Sequence, residues 1–144
     1  RVVLQRVKSA RVTVRGEEKG SIEKGLLLLV GIAKGDTFSE VQAMAKKISN
    51  LRVFEDSDGK MNLDINEIDG RILSVSQFTL LGTTDKGNRP GFGPAASPEE
   101  AQKLWEDFNE ELVKRGMQVS QGVFGAKMEI DLVNDGPVTF VLDR

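Results

Sequence analysis

Leu26-Leu27-Leu28-Leu29-Val30-Gly31-Ile32 is the stretch that decides the fold. With Ala33 it forms the longest apolar run in the chain, and Lys34 closes it. A short run with no polar alternation reads as a β-strand buried on both faces. It falls far short of the roughly 20 residues that span a bilayer. Upstream, Val12 and Val14 alternate with Arg11, Thr13 and Arg15, the period-two pattern of a half-buried strand. Residues 2–7, rich in Val and Leu, read as another strand, and Gly16, Gly20 and Gly25 punctuate the turns between these segments.

Downstream, two helices carry start signals. Thr37-Phe38-Ser39-Glu40 has the form of a capping box, in which a hydroxyl and a carboxylate satisfy orphan amides reciprocally. Phe38, Val41, Ala45 and Ile48 follow at helical spacing. Ser97-Pro98-Glu99-Glu100 places a capping Ser before a Pro at the first helical position and a Glu at the third. Ala101, Leu104, Trp105, Phe108 and Leu112 then share one face, read as core packing rather than a cofactor box. Gly116 stands where a left-handed residue would end that helix. Between the helices, Asp58-Gly59 reads as a hairpin turn, and Asp69-Gly70 opens a strand from Arg71 to Leu80. Met128, Ile130 and Leu132 alternate with acids, Asn134 to Pro137 reads as a turn, and Val138 to Leu142 as a final strand. The expected fold is α+β: one domain over residues 1–144, with a largely antiparallel, curled, barrel-like sheet and two main helices packed on it. The loop from Gly82 to Ala96, with its Gly and Pro residues, is long for so small a domain, and such loops are usually functional or mobile.

Composition narrows the chemistry. The chain has no Cys, which excludes disulfides, thiolate nucleophiles and zinc–cysteine sites. It has no His, which removes the usual general base of hydrolases and the commonest transition-metal ligand. Any hydrolysis must proceed without imidazole. No basic segment followed by an apolar one marks a secretory signal at the start of the sequence given. A formal net charge of −2 gives no global field that favours nucleic acid. Cations do cluster locally at Arg1, Arg6, Lys8, Arg11 and Arg15, and again at Lys86 and Arg89. They read as solvated strand faces and a solvated loop, or as a patch on which a polyanion docks with strong salt dependence.

Two strings stand out. In Ser76-Gln77-Phe78-Thr79-Leu80, hydrogen-bonding side chains interrupt an apolar strand. Alternation would place Ser76 and Phe78 on one face and Gln77 and Thr79 on the other. The string reads either as a strand with one half-exposed face or as the lining of a polar pocket. Asn134-Asp135-Gly136-Pro137-Val138-Thr139 reads either as a hairpin turn or as a rigid loop that aims backbone carbonyls at a ligand.

Together the strings closely resemble the D-aminoacyl-tRNA deacylase family, which carries Ser-Gln-Phe-Thr-Leu in mid-chain and Asn-Asp-Gly-Pro-Val-Thr near the C-terminus. The resemblance extends through Val2-Val3-Leu4-Gln5-Arg6-Val7, Gly25-Leu26-Leu27, Leu51-Arg52-Val53-Phe54 and Phe124-Gly125-Ala126-Lys127-Met128. It implies a cytoplasmic homodimer with the active site at the subunit interface, acting on aminoacyl-tRNA, with no cofactor, no metal and no membrane or DNA partner. It implies catalytic roles for Ser76, Gln77, Phe78 and Thr79. Substrate binding would fall to Gly136, Pro137, Phe124 and Met128, and RNA contact to Lys86 and Arg89. Gly136-Pro137 of one subunit, with a cis peptide, would enter the other's pocket and offer carbonyls to the α-ammonium. An L side chain would collide with backbone there, so rejection needs no recognition of the side chain. Glycine, being achiral, would pass the same filter.

The reaction is feasible without His, because an aminoacyl ester beside a ribose hydroxyl is activated. A backbone N–H near Phe78 would stabilise the oxyanion. The expected mechanism is hydrolysis assisted by the 2′-hydroxyl of the terminal adenosine, which explains why a base is missing; the alternative is covalent attack by Thr79, which lacks an obvious base. Other readings are an RNA-binding module without catalysis, a hydrolase of free D-amino acid esters, and a dimeric interaction domain.

Overall fold

The computed structural model describes residues 1–144. Residues 2–7 and 11–15, expected as two strands, form one, β1 (Val2–Val14). A single long strand serves because two shorter ones share one of its edges: β3 (Gly25–Val30) pairs with Val2–Val7, and β2 (Glu17–Ile22) pairs with Ala10–Val14. The opposite edge of β1 is followed almost end to end by β8 (Glu129–Leu142). The sheet continues from β3 to β6 (Arg71–Ser76) and β7 (Gln118–Gln121), both parallel additions. A small antiparallel pair, β4 (Phe54–Glu55) and β5 (Met61–Leu63), stands apart, joined through the expected Asp58-Gly59 turn. Antiparallel pairings predominate, as expected, but the sheet is mixed.

The sheet curls until β7 returns toward β2. Gly20 was expected at a turn and instead lies inside β2, where closure needs it. A Cβ there would stand 3.1 Å from the Gln121 carbonyl oxygen. The Ser120 hydroxyl donates to the Ser21 carbonyl at 3.4 Å, so the barrel is nearly closed.

Both helices form where the capping signals place them. In α1 (Phe38–Asn50), the Thr37 amide donates to the Glu40 carboxylate at 2.6 Å, and the Ser39 amide donates to the Thr37 hydroxyl at 3.3 Å. In α2 (Pro98–Lys114), the Glu100 amide donates to the Ser97 hydroxyl at 3.4 Å. Gly116 follows at φ 91°, the left-handed exit its position foretold.

Strand β3 explains why the leucine run is unbroken. Leu26, Leu28 and Val30 face the helices in a core with Ile48, Phe54, Trp105 and Phe108. Leu27 faces the barrel interior with Val7, Val12, Leu73 and Val75. Period-two geometry thus feeds two cores from one strand. Each fully buried leucine contributes about 1.5–3 kcal/mol relative to exposure.

Two expected elements differ. The strand from Arg71 stops at Ser76, and a 3₁₀ turn follows at Phe78–Leu81. The chain does not reverse at Asn134–Pro137 either; β8 runs straight through. Both departures shape the site.

Candidate active site

Strands β3 and β6 run parallel and end together. The Gln77 amide donates to the Val30 carbonyl at 2.7 Å, the last rung of their ladder. The backbone then coils, with Leu80 and Gly82 amides donating back to Gln77 and Thr79 carbonyls. The first amides of a helical turn have no partner within that turn, and the Phe78 N–H is one of them. Coiling also cancels the face alternation expected for an extended Ser76–Leu80.

At this end of the barrel lies a cleft of about 530 Å³. Ser76, Gln77 and Phe78 line it, as do Phe124 and Met128. Thr79 is not part of the lining; it is exposed, and the Gln77 side-chain amide donates to its hydroxyl. That contact supplies Thr79 with a donor and no base. Lys86 and Arg89 are exposed on the Gly82–Ala96 loop and also stand outside the lining. The loop's return is fixed, because Ala96 and Lys34 amides donate to the Ile32 and Pro94 carbonyls at 3.0 and 2.9 Å.

The cleft has lining residues that sequence reasoning missed. Trp105 belongs to the core as expected, and it also backs the cleft, its ring 5.9 Å from Phe124. The buried Ser74 hydroxyl accepts from the indole N–H at 3.0 Å and fixes the ring. Phe92 packs edge-on to Phe78 at 4.9 Å; its signal was an aromatic between two glycines of a loop. No lining residue carries an ionisable acid or base. The carboxyls held below their ordinary range lie elsewhere: Glu40 through the Thr37 hydroxyl, Asp56 through the Lys60 amide, Asp143 through Arg1. A larger hollow, about 1020 Å³, opens at the other end of β6 around Arg71. It holds none of the motif residues and mixes cations with carboxylates, including the Arg11–Asp131 pair at 3.1 Å, so the smaller cleft is the better chemical candidate.

The second motif is a bulge within β8. Asn134 pairs with Val7 and Thr139 with Gln5, so the residues between them on β8 outnumber those on β1 and loop outward. The Asn134 side-chain amide pinches the base, donating to the Arg6 and Val138 carbonyls at 3.0 and 3.1 Å. Behind it sits Arg6, which is buried and not the solvated cation its sequence neighbours suggested. Its guanidinium donates to the Val53 carbonyl at 2.7 Å and to the Asp135 carbonyl at 3.3 Å. It is also paired with the Asp135 and Glu55 carboxylates at 3.4 and 3.7 Å. Gly136, at φ 125°, and Pro137 form the exposed tip, joined by a cis peptide. A Cβ on Gly136 would meet Val138 Cγ2 at 2.8 Å and Arg6 Nη2 at 3.1 Å. Neither tip residue lines this cleft. Ile130 does, and four residues of paired strand carry the chain roughly 13 Å from there to Asn134, where the bulge begins.

These features define a small α+β barrel protein with an apolar, charge-free cleft where parallel strands end. The D-Tyr-tRNA(Tyr) deacylase family profile matches residues 3–143, and the chain belongs to that family. It is 57% identical to the D-aminoacyl-tRNA deacylase of Lactobacillus delbrueckii subsp. bulgaricus, covering 99% of each chain. It is 54% identical to the protein of the same name from Brevibacillus brevis, again covering 99% of each. Among solved structures, a protein titled c-Myc DNA Unwinding Element Binding Protein superposes with a TM-score of 0.93 at 43% identity, covering 99% of this chain and 97% of that one. A probable eukaryotic D-amino acid tRNA deacylase superposes with a TM-score of 0.84 at 16% identity over 96% of each chain, a likeness of fold alone.

Proposed function

We propose that the protein hydrolyses the ester between a D-amino acid, or glycine, and tRNA in the cytoplasm, as a homodimer whose bulges complete each other's clefts. The observation that carries this is the cleft itself: Ser76, Gln77 and Phe78 of the family motif edge a pocket without any acid or base. Such a site suits an activated ester and a substrate that supplies its own hydroxyl. The Phe78 N–H stabilises the oxyanion; one such donor is typically worth about 10²–10³ in rate. The terminal adenosine lies along Phe124 and Met128, and its 2′-hydroxyl positions the attacking water. Thr79 serves to orient Gln77.

A bulge that begins roughly 13 Å along the strand from its own cleft, and points outward, needs a partner's cleft to act on. Strand β8 is an unpaired edge that exposes Val133, Phe140 and Val141, which supports a protein partner along it. The carbonyls at the tip, Gly136 and Pro137 of the partner subunit, receive the α-ammonium, and backbone closes the direction an L side chain requires. Lys86 and Arg89 contact RNA at the rim. The test is deacylation of matched D- and L-aminoacyl-tRNA. Hydrolysis of the D ester alone is expected; equal hydrolysis of both, or of neither, contradicts the proposal.

A further inference from the structure

One surface outside the cleft has an uncompensated charge. From Val41 to Phe54 the chain has no acidic residue, while Lys46, Lys47 and Arg52 fall within it. The fold brings the far end of the chain to the same place. Lys46, Lys47, Arg52 and Arg144 line an open groove of about 520 Å³ with Ala43, Asn50 and Leu51, and no carboxylate side chain is among them. All four cations are exposed, and none takes part in a salt bridge. Six cations outside the groove are paired with acids, among them Arg1 with Asp143 and Lys103 with Asp107; what sets the groove apart is four cations gathered on one lining without a carboxylate side chain. In a chain of formal charge −2 this is a local reversal of sign.

The groove has a fixed element. The Arg52 guanidinium donates to the Asn62 carbonyl at 2.8 Å and to its side chain, which orients the planar fork. Lys46 and Lys47 stand on the outer face of α1, whose inner face is buried through Met44, Ala45 and Ile48. The groove and the cleft are linked only through a small hollow. That hollow, of about 30 Å³, shares Arg144 with the groove, and shares Val30 and Ile32 with the cleft. The acids in that hollow, Asp36 and Glu40, are engaged by the Ala33 and Thr37 amides at 2.8 and 2.6 Å.

We infer that this groove receives the phosphodiester backbone of tRNA, beyond the terminal nucleotide held in the cleft. The inference deepens the proposed deacylase function and rests on it. Exposed cations gathered in one groove bind phosphates by releasing counterions, which gives affinity without sequence preference. The groove therefore distinguishes a tRNA ester from a small ester of the same amino acid.

The experiment compares wild type, Lys46→Ala/Lys47→Ala and Lys46→Arg/Lys47→Arg on D-aminoacyl-tRNA and on the D-aminoacyl ester of adenosine alone. For the alanine pair, KM for the tRNA ester at low salt should rise roughly tenfold with kcat unchanged, the loss of two phosphate contacts. The slope of log KM against log salt should fall by about 1.8. KM for the adenosine ester should stay at the wild-type value, and the arginine pair should behave as wild type. Thermal unfolding shows that each variant is folded. Unchanged KM and slope on tRNA would overturn the inference, as would an equal loss on both substrates. If wild type hydrolyses neither ester, the deacylase function fails by itself; binding of uncharged tRNA then judges the groove, and wild type must still exceed the alanine pair.

Discussion

The two motifs are built in opposite ways. Ser76–Thr79 begins where a parallel ladder runs out, and backbone coiling after Gln77 gives the segment its shape. Asn134–Thr139 sits within a ladder that continues on both sides, and side chains hold its shape: Asn134 at the base and Arg6 behind. The first motif edges a cleft of its own chain through Ser76, Gln77 and Phe78. The second projects from an edge strand into open space. A segment shaped by backbone can tolerate side-chain changes that leave its amides in place. A segment shaped by a few side-chain contacts around a glycine cannot tolerate bulk at that glycine.

The largest effect should therefore come from the bulge. Gly136→Ala puts a methyl against Val138 and Arg6 at a left-handed φ of 125°. The tip must shift by a fraction of an ångström or more. A displacement of about 1 Å at a reacting centre can cost about 10²-fold, and kcat/KM for D-aminoacyl-tRNA should fall at least that far. Circular dichroism should remain native, since the tip is exposed. Activity within threefold of wild type would erase the contrast between the motifs.

At the cleft, Thr79→Ala should cost less than about tenfold, because the Gln77 amide is the hydroxyl's partner and no base is near. Replacing the terminal 2′-hydroxyl by hydrogen should cost about 10² or more, the scale of a positioned proton-transfer group. An acyl group trapped on Thr79 would reverse that ranking. The pH–rate profile sharpens the same point. With no ionisable side chain lining the cleft, its inflections should move with the substrate's own amine and not with any substitution in the cleft.

Much of the architecture was legible because it follows from local rules. The leucine run, both capping sequences and Gly116 fixed elements that their own residues determine. Strand β7 was missed because Gln118–Gln121 has little apolar alternation; its place comes from parallel pairing with β6, a contact distant in sequence. Arg6 looked solvated because it falls in a series of cations with Arg1, Lys8, Arg11 and Arg15, while its partners Val53, Glu55 and Asp135 are far along the chain. The end of the strand at Ser76 was equally hidden, since nothing in Gln77-Phe78-Thr79-Leu80 forbids an extended chain. The motif residues were found through family resemblance, and spacing alone left both strings open to bland readings.

Smaller effects separate site from scaffold. Phe92→Ala removes the edge-on partner of Phe78 and should lower kcat/KM several-fold, as aromatic pairs contribute about 0.5–1.5 kcal/mol. A loss of stability without loss of activity would make Phe92 scaffold only. Thr37→Ala touches neither motif, and should cost about 1 kcal/mol of stability with kcat/KM intact. The Thr37 hydroxyl lowers the Glu40 pKa, so the carboxylate's part in the box is complete above the ordinary carboxylate range. It is lost as pH falls through the folded pKa. The stability gap between Thr37→Ala and wild type, followed by thermal unfolding, should narrow in acid; a constant gap would count against the box.

The central claim is that each cleft is completed by the other subunit's bulge, and mixed dimers test it most directly. One parent carries Gly136→Ala; the other carries Ala126→Trp, which fills the cleft from its lining. Each should be nearly inactive alone. Unfolding and refolding them together in equal amounts should restore about a quarter of wild-type activity, because half of the dimers would then hold one site built from two intact halves. A mixture that stays as inactive as its parents would contradict the shared site.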